Sequence, residues 1–160
     1  MAKIQQATAN NGKAITQKET FSRTTSVGNC IFADKSIIWK LLTDAAGYTR
    51  WNSTIISING NIALGETISL KAKMAPKRDF KLKIKEMAEG SRLVWGDGMG
   101  KRIFTLDDNG KGMVTFTMNE KIGGPLFPLF ARYIPSFDAA FEQFAADLKK
   151  EAETIQNLEK

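Results

Sequence analysis

Between Thr54 and Lys121 the hydrophobic residues recur mainly at every second position, in short runs separated by turn sequences. This period is typical of strands with one buried face, whereas a helix repeats its apolar positions every three or four residues. The short runs and tight turns favour antiparallel pairing of neighbouring strands. Six strands are predicted in this region: Thr54–Asn59, Ile68–Met74, Phe80–Lys85, Arg92–Trp95, Arg102–Leu106 and Met113–Lys121.

Three turns set the expected register of this sheet. They are Ala75-Pro76-Lys77-Arg78, Glu89-Gly90 and Asn109-Gly110, the last within a strong hairpin signal. They predict pairing of Met74 with Phe80, Ala72 with Leu82, Ile84 with Trp95, Glu86 with Leu93, Phe104 with Phe116, and Arg102 with Met118. These pairings agree in placing the apolar residues on one face, and a slip of one residue would scatter them over both faces.

The two ends of the chain differ in character. Residues 1–16 are polar and aperiodic and predict a flexible tail, which leaves residues 17–160 as a single domain. A Thr/Ser-rich segment, Lys18 to Ile31, is predicted as the first strand. Residues 125–157 have a helical period and predict a long C-terminal helix that is kinked or restarted at Pro135.

Two short helices are expected between the first and second strands. One is capped by Asp34 or Ser36 and ends near Thr43, and the other begins at Asp44 and ends near Trp51. The complete order predicts an α+β fold with a seven-stranded antiparallel sheet and one long C-terminal helix.

The chain contains no histidine, and Cys30 is its one cysteine. Histidine-dependent nucleophile pairs, histidine-bearing zinc sites and four-cysteine metal sites are therefore excluded, and we expect no metal or cofactor. The lone cysteine is typical of a reducing compartment, and no apolar run suits a secretory signal or a membrane span. A cytoplasmic location is expected. An enzyme is less expected than a binding protein, and would need a carboxylate, tyrosine, lysine or water as its acid or base.

Most of the positive charge lies in one short window. Residues 71–86 carry a net charge of +5 out of the +6 of the whole chain. The alternation puts the lysines on the solvent face of the sheet, where they discourage edge-to-edge association or contact an anionic membrane surface. No aromatic residue shares that face, so nucleic acid is not expected as a partner. The candidate contact residues are Lys71, Lys73, Lys81, Lys83 and Lys85.

Several motifs together resemble a known superfamily. They are Phe32-Ala-Asp-Lys-Ser-Ile-Ile-Trp39, Leu42-Thr-Asp44, Tyr48-Thr-Arg-Trp51-Asn52, Arg92-Leu-Val-Trp95 and Gly123-Gly-Pro-Leu126. The sequence resembles the START-like (SRPBCC) superfamily, and is most similar to its polyketide cyclase/dehydrase-type branch. The resemblance implies a helix-grip fold, in which a curved antiparallel sheet wraps the C-terminal helix and leaves an apolar cavity between them.

A set of mainly aromatic residues can be interpreted in two ways. Apolar spacing alone favours a packed core, whereas the resemblance implies that these residues line a ligand cavity. The candidate ligand-binding residues are Trp95, Phe104, Phe116, Met118, Phe130, Tyr133, Phe137 and Phe141.

Three polar residues are candidates for anchoring a ligand. Arg102 and Glu120 share the parity of the apolar face and are expected diagonally opposed on adjacent strands, with Asp97 in the neighbouring turn. We expect a solvated ion pair at the cavity rim. The alternative is a buried anchor for a ligand carboxylate, hydroxyl or carbonyl, with Glu120 or Asp97 as the base in an enzyme.

These observations favour binding or transport of a small hydrophobic molecule, such as a lipid, sterol or polyketide-like compound. Two alternatives remain, a cofactor-independent cyclase, dehydratase or isomerase, and a module that binds a protein partner. The fold alone does not decide among them.

Overall fold

The computed structural model describes residues 11–159. The strands in this part of the chain form one antiparallel sheet of eight strands. The strands lie in the order β1-β2-β8-β7-β6-β5-β4-β3. Their bounds are β1 Ile15–Lys18, β2 Ser22–Ile31, β3 Ile55–Asn59, β4 Thr67–Ala72, β5 Phe80–Ala88, β6 Arg92–Gly96, β7 Gly100–Asp108 and β8 Val114–Gly123.

The helices lie in two groups. α1 (Lys35–Thr43), a 3₁₀ turn (Ala45–Gly47) and α2 (Tyr48–Trp51) connect β2 to β3. After β8 come α3 (Phe127–Phe130), a second 3₁₀ turn (Ala131–Tyr133) and the long helix α4 (Asp138–Leu158). The α+β architecture with a long C-terminal helix is confirmed, and α4 packs on one face of the sheet through Phe141, Phe144 and Leu148.

The predicted number of seven strands is wrong. The expected first strand divides into β1 and β2, joined by a tight turn in which the Glu19 N–H donates to the Ser22 carbonyl. β1 begins at Ile15, inside the predicted tail, and the first ten residues of that tail lie outside the described part of the chain. The stretch is mainly polar and Thr-rich and has neither glycine nor proline at Glu19-Thr20-Phe21, so its sequence did not indicate a turn there.

The register differs from prediction at two hairpins by an even number of residues. Phe104 lies opposite Met118, and Leu106 lies opposite Phe116, because the connection closes between Asn109 and Met113 and is longer than a two-residue turn. At the β4–β5 hairpin, Leu70 rather than Met74 lies opposite Phe80. An even shift preserves the face of each side chain, so the apolar face formed as expected.

The β5–β6 hairpin was predicted correctly at one pair and wrongly at the next. Ile84 lies opposite Trp95 as expected, but a bulge follows, and Glu86 lies opposite Val94 instead of Leu93. The extra residue turns Met87 toward the core, where it packs partly buried.

The centre of the core is a group of aromatic rings between the sheet and α4. Phe104, Phe116 and Phe144 lie with ring centroids 5.8–6.4 Å apart, and Trp95 contacts Phe104 edge-on at 4.8 Å. All four are buried. This part of the interior is therefore packed rather than hollow.

The predicted C-terminal helix is interrupted before α4. Residues 124–137, which we name the strap, contain α3, a 3₁₀ turn and an extended stretch around Pro135. The restart expected at this proline is confirmed, since α4 begins three residues later at Asp138. The break carries the strap across one end of the sheet.

Candidate functional site

A cavity of about 410 Å³ opens at the end of the sheet where α4 begins. Its walls come from β4, β5 and their connection, from the β6–β7 turn, and from the strap. It lies between the sheet and the strap, whereas the expected position was under the C-terminal helix. Its lining is Leu70, Ala72, Met74, Ala75, Arg78, Phe80, Leu82, Trp95, Gly96, Asp97, Met99, Gly100, Lys101, Arg102, Glu120, Tyr133, Ile134, Pro135 and Phe137.

Arg102 and Glu120 form an ion pair on the cavity wall. They lie directly opposite each other on β7 and β8, not diagonally as predicted, and the Arg102 Nε donates to Glu120 Oε1 at 3.1 Å. Their side chains are 15% and 17% exposed, and the guanidinium lies 4.9 Å from the centre of the Phe141 ring. The pair is therefore more enclosed than the solvated rim pair that we expected.

Asp97 lies on the cavity wall, but one oxygen of its carboxylate holds the β6–β7 turn. Its Oδ1 accepts the N–H groups of Met99 at 2.8 Å and Gly100 at 3.0 Å. A Cβ at Gly100 would lie 2.7 Å from the Lys121 carbonyl oxygen, so glycine permits this close packing of β7 on β8. A Cβ at Gly96 would likewise lie too close to the Gly100 carbonyl oxygen, so close packing explains both glycines. The turn also engages the carboxylate that was a candidate base.

The strap is fixed by a buried arginine that the sequence did not single out. Arg23 donates through Nη1 to the Ile134 carbonyl at 3.2 Å and through Nη2 to the Pro135 carbonyl at 2.7 Å. Its guanidinium also stacks 4.7 Å from the centre of the Phe137 ring. Burial lowers the pKa of Arg23 from its ordinary value, while the carboxylates of Asp138 and Glu120 oppose this shift.

The predicted ligand-binding residues divide into three groups. Trp95, Tyr133 and Phe137 line the cavity, and Tyr133 is 71% exposed at its mouth. Phe104 and Phe116 belong to the closed aromatic core, because the register brings both rings under α4. The sequence did not distinguish these groups, since all of these residues are apolar and were expected to face the space between the sheet and the C-terminal helix.

The other three predicted residues lie away from this cavity. Met118 and Phe141 border a small void of about 30 Å³ under α4, which also touches Arg102. A void of this size holds about one water molecule. Phe130 lies on the outer side of the strap and lines neither space, because α3 is separate from α4 instead of being its first turns.

Residues of β4 and β5 were missed as site residues. The alternation places Leu70, Ala72, Phe80 and Leu82 on the apolar face of the sheet, and this part of that face lines the cavity. The incomplete burial of Phe80 and Leu82 follows from their position where no helix covers the sheet. The signal available in the sequence was the continuation of the apolar alternation to the strand ends.

Tyr48 is a buried tyrosine of the core whose hydroxyl is already engaged. Its hydroxyl donates to the Leu42 carbonyl at 2.8 Å, and the residue is fully buried. Burial raises the pKa of Tyr48 above its ordinary value, and the nearby charge of Arg102 opposes this shift. Tyr48 therefore stays neutral and is a structural residue.

In the basic window, Lys71, Lys73, Lys81 and Lys83 alternate with cavity-lining residues and so lie on the opposite face of the sheet, whereas Arg78 lines the cavity. Lys73, Lys81, Lys83 and Lys85 are exposed, and Lys71 lies 3.9 Å from Asp79. Within residues 11–159, no helix combines the length and apolar composition that a bilayer span requires.

An antiparallel sheet with a long helix packed on it is the helix-grip architecture, and here it has an open cavity at the end of the sheet, with an enclosed ion pair on its wall. No protein-family model and no curated protein sequence matches the chain significantly. Solved structures match it in fold.

Three of these structures illustrate the likeness. A conserved protein of unknown function from Enterococcus faecalis is 17% identical, with a TM-score of 0.66 over 95% of this chain and 82% of that one. A START superfamily protein from Mycobacterium smegmatis is 15% identical, with a TM-score of 0.60 over 82% and 98%. DynU16, a protein of the dynemicin biosynthetic locus, is 17% identical, with a TM-score of 0.61 over 83% of this chain and 48% of DynU16. The chain has the START-like helix-grip fold.

Proposed function

We propose that the protein binds and carries a small, mainly apolar molecule in the cavity at the end of the sheet. The observation that carries this proposal is an apolar space with one enclosed ion pair on its wall, Arg102 with Glu120. Ligand pockets combine apolar walls with a few fixed polar groups, and span roughly 300–1,000 Å³. A cavity of about 410 Å³ suits a compact ligand of this class.

The polar group of the ligand is expected beside Arg102. The arginine uses Nε on Glu120, while its remaining N–H groups can donate to a carboxylate, hydroxyl or carbonyl oxygen. Leu70, Phe80 and Leu82 supply apolar contacts for the ligand body. A lipid fragment, sterol-like or polyketide-like molecule with one oxygen-bearing end fits this arrangement.

Carriage is favoured over catalysis because both candidate bases are engaged. Asp97 accepts two backbone N–H groups of its own turn, and Glu120 accepts from Arg102. A cofactor-independent cyclase, dehydratase or isomerase is the second candidate. It is favoured by the position of Glu120 on the cavity wall and by the fold shared with DynU16 of a biosynthetic locus.

Filling the cavity tests the proposal directly. Ala72→Trp places an indole in the cavity, whereas Ala88→Trp adds the same ring at an exposed position near the far end of β5. We expect native mass spectrometry of protein from its own host to find a small apolar molecule on the wild type and on Ala88→Trp, and not on Ala72→Trp. A bare wild type, or equal loading of all three proteins, would contradict the proposal.

We also propose that the solvent face of the sheet that carries Lys71, Lys73, Lys81 and Lys83 contacts an anionic membrane surface. Replacing Lys71, Lys73, Lys81 and Lys83 by glutamine is expected to change the free energy of unfolding by no more than about 0.5 kcal/mol per site, as for other surface substitutions. The same variant is expected to bind anionic vesicles more weakly, and added salt should weaken wild-type binding. Equal vesicle binding by both proteins would leave these lysines with the role of preventing sheet association.

A further inference from the structure

Exposed apolar side chains are concentrated around the mouth of the cavity. Within the described chain, ten large apolar residues are exposed, and six of them lie on the β1–β2 turn, the β6–β7 turn or the strap. These six, which we name the mouth rim, are Phe21, Met99, Leu126, Leu129, Phe130 and Tyr133. Exposed apolar residues scattered singly need no explanation, but a group on one end of a molecule marks an interaction surface.

Backbone hydrogen bonds join these segments into one surface. The Gly123 N–H donates to the Met99 carbonyl at 2.9 Å, and the Gly124 N–H donates to the Phe21 carbonyl at 3.0 Å. Both turns are therefore fixed to the end of β8, from which the strap begins. Met99 and Tyr133 also line the cavity, so the rim adjoins its opening at these two residues.

A basic depression lies directly beside the rim. Lys85, Lys101 and Lys121 line it together with Phe21, Met99 and one acid, Asp97, whose backbone carbonyl accepts from the Lys85 Nζ at 3.4 Å. Lys101 and Lys121 lie opposite each other on β7 and β8, an arrangement of like charges that destabilises a sheet. Among the described residues none of these three lysines forms a salt bridge.

We propose that the mouth rim and this basic depression dock on the surface of an anionic lipid bilayer. An interfacial surface of this kind combines side chains that enter the acyl boundary with cations at the depth of the headgroups. Within the depression, Phe21 and Met99 are the side chains that would enter the acyl boundary, and the lysines are the cations at headgroup depth. Three rim residues, Met99, Leu126 and Leu129, have no ring on which a nucleic-acid base could stack, which favours a bilayer over nucleic acid as the partner of the whole rim.

The docked orientation brings the cavity opening against the membrane. This consequence rests on the proposed function, since it gives an apolar ligand a path between cavity and bilayer that avoids water. The docking itself requires no cavity ligand. A vesicle assay on the protein alone therefore fails or succeeds independently of the ligand experiment with Ala72→Trp.

The test measures co-sedimentation with vesicles of phosphatidylcholine containing one-third phosphatidylglycerol, and with vesicles of phosphatidylcholine alone. The apolar variant is Phe21→Ser with Leu129→Ser, and its control is Leu64→Ser with Leu158→Ser, two exposed leucines outside the rim. The charge variant replaces Lys85, Lys101 and Lys121 by glutamine. Its control makes the same replacement at three other exposed lysines, Lys40, Lys111 and Lys150. Melting temperatures of all variants establish that they fold.

Wild-type protein is expected to bind the anionic vesicles at least tenfold more tightly than the neutral ones. The charge variant should bind roughly 100-fold more weakly, because each lysine near an anionic leaflet contributes about a fivefold factor. The apolar variant should bind the anionic vesicles at least tenfold more weakly than wild type, whereas the affinity of both controls should stay within about twofold of wild type. The charge variant should also lose more affinity than the replacement of Lys71, Lys73, Lys81 and Lys83.

Three results would overturn the proposal. One is the absence of wild-type binding to anionic vesicles. Another is an equal loss of vesicle affinity in a control and in its matched variant. This would indicate that total charge or total apolarity, and not this surface, causes the binding. The third is a wild-type dimer that Phe21→Ser with Leu129→Ser converts to monomer, because a second copy would then be the partner of this surface.

Discussion

Phe104→Ala is expected to lower the free energy of unfolding by about 3–5 kcal/mol, the usual cost of truncating a buried aromatic side chain. Phe104 is fully buried, and its ring contacts those of Trp95, Phe116 and Phe144. α4 and the sheet enclose this site from both sides, so the neighbouring rings have little freedom to close the space. Denaturant unfolding of both proteins measures the difference.

The matched control is Phe137→Ala, which removes the same ring from the cavity wall. Phe137 is only partly buried, so its loss should destabilise the protein less than that of Phe104. Affinity for anilinonaphthalene sulfonate, an apolar probe with one anionic group, should fall in Phe137→Ala and stay within about twofold of wild type in a folded Phe104→Ala protein. The reverse pattern would place the ligand in the aromatic core and would contradict the site described above.

The sequence predicted the architecture because its strongest signal is the two-residue period. A register error of two or four residues leaves the buried face of a strand unchanged. The pairing of Phe104 was two residues off, yet Phe104 and Phe116 both kept the face predicted for them. The division of the first strand was missed because the turn at Glu19 depends on a backbone hydrogen bond within a polar segment. A local pattern of side chains contains little information about such a turn.

The candidate site was predicted less completely than the fold. Alternation identifies the residues that face inward, but a cavity exists where no second layer covers that face. The uncovered region depends on the break at Pro135, which directs the strap across the sheet end and leaves Phe80 and Leu82 without a helix above them. Arg23 was missed for the same reason, since its partners are strap carbonyl groups more than 100 residues away.

The structure raises the stability contribution expected of the Arg102–Glu120 ion pair. A solvated rim pair would contribute about 0–1 kcal/mol to stability. The observed pair is mostly enclosed, with side chains 15% and 17% exposed, and each charge depends on the other for compensation. Removing one partner should therefore leave the other charge poorly solvated.

Arg102→Met and Glu120→Gln are each expected to lower the free energy of unfolding by about 2–3 kcal/mol, less than the roughly 3–5 kcal/mol of a fully buried pair, because the cavity admits water. The double variant should be less destabilised than either single one, since no charge remains without its partner. The exposed pair Arg92 with Glu86, at 2.8 Å, is the control, and Arg92→Met should destabilise the protein much less than either change at the enclosed pair. Small, additive effects at Arg102 and Glu120 would restore the rim interpretation.

The same variants separate carriage from catalysis. If Arg102 anchors the polar end of a ligand, Arg102→Met should weaken binding of anilinonaphthalene sulfonate, because it removes the N–H donors and the charge that face the cavity. Glu120→Gln should retain that binding, since the arginine stays in place. In an enzyme that used Glu120 as its general base, this variant would still bind substrate but turn it over about 10²–10⁴-fold more slowly. A binding protein has no turnover to lose, so retained binding together with a catalytic loss on any polyketide-like substrate would establish the cyclase, dehydratase or isomerase alternative.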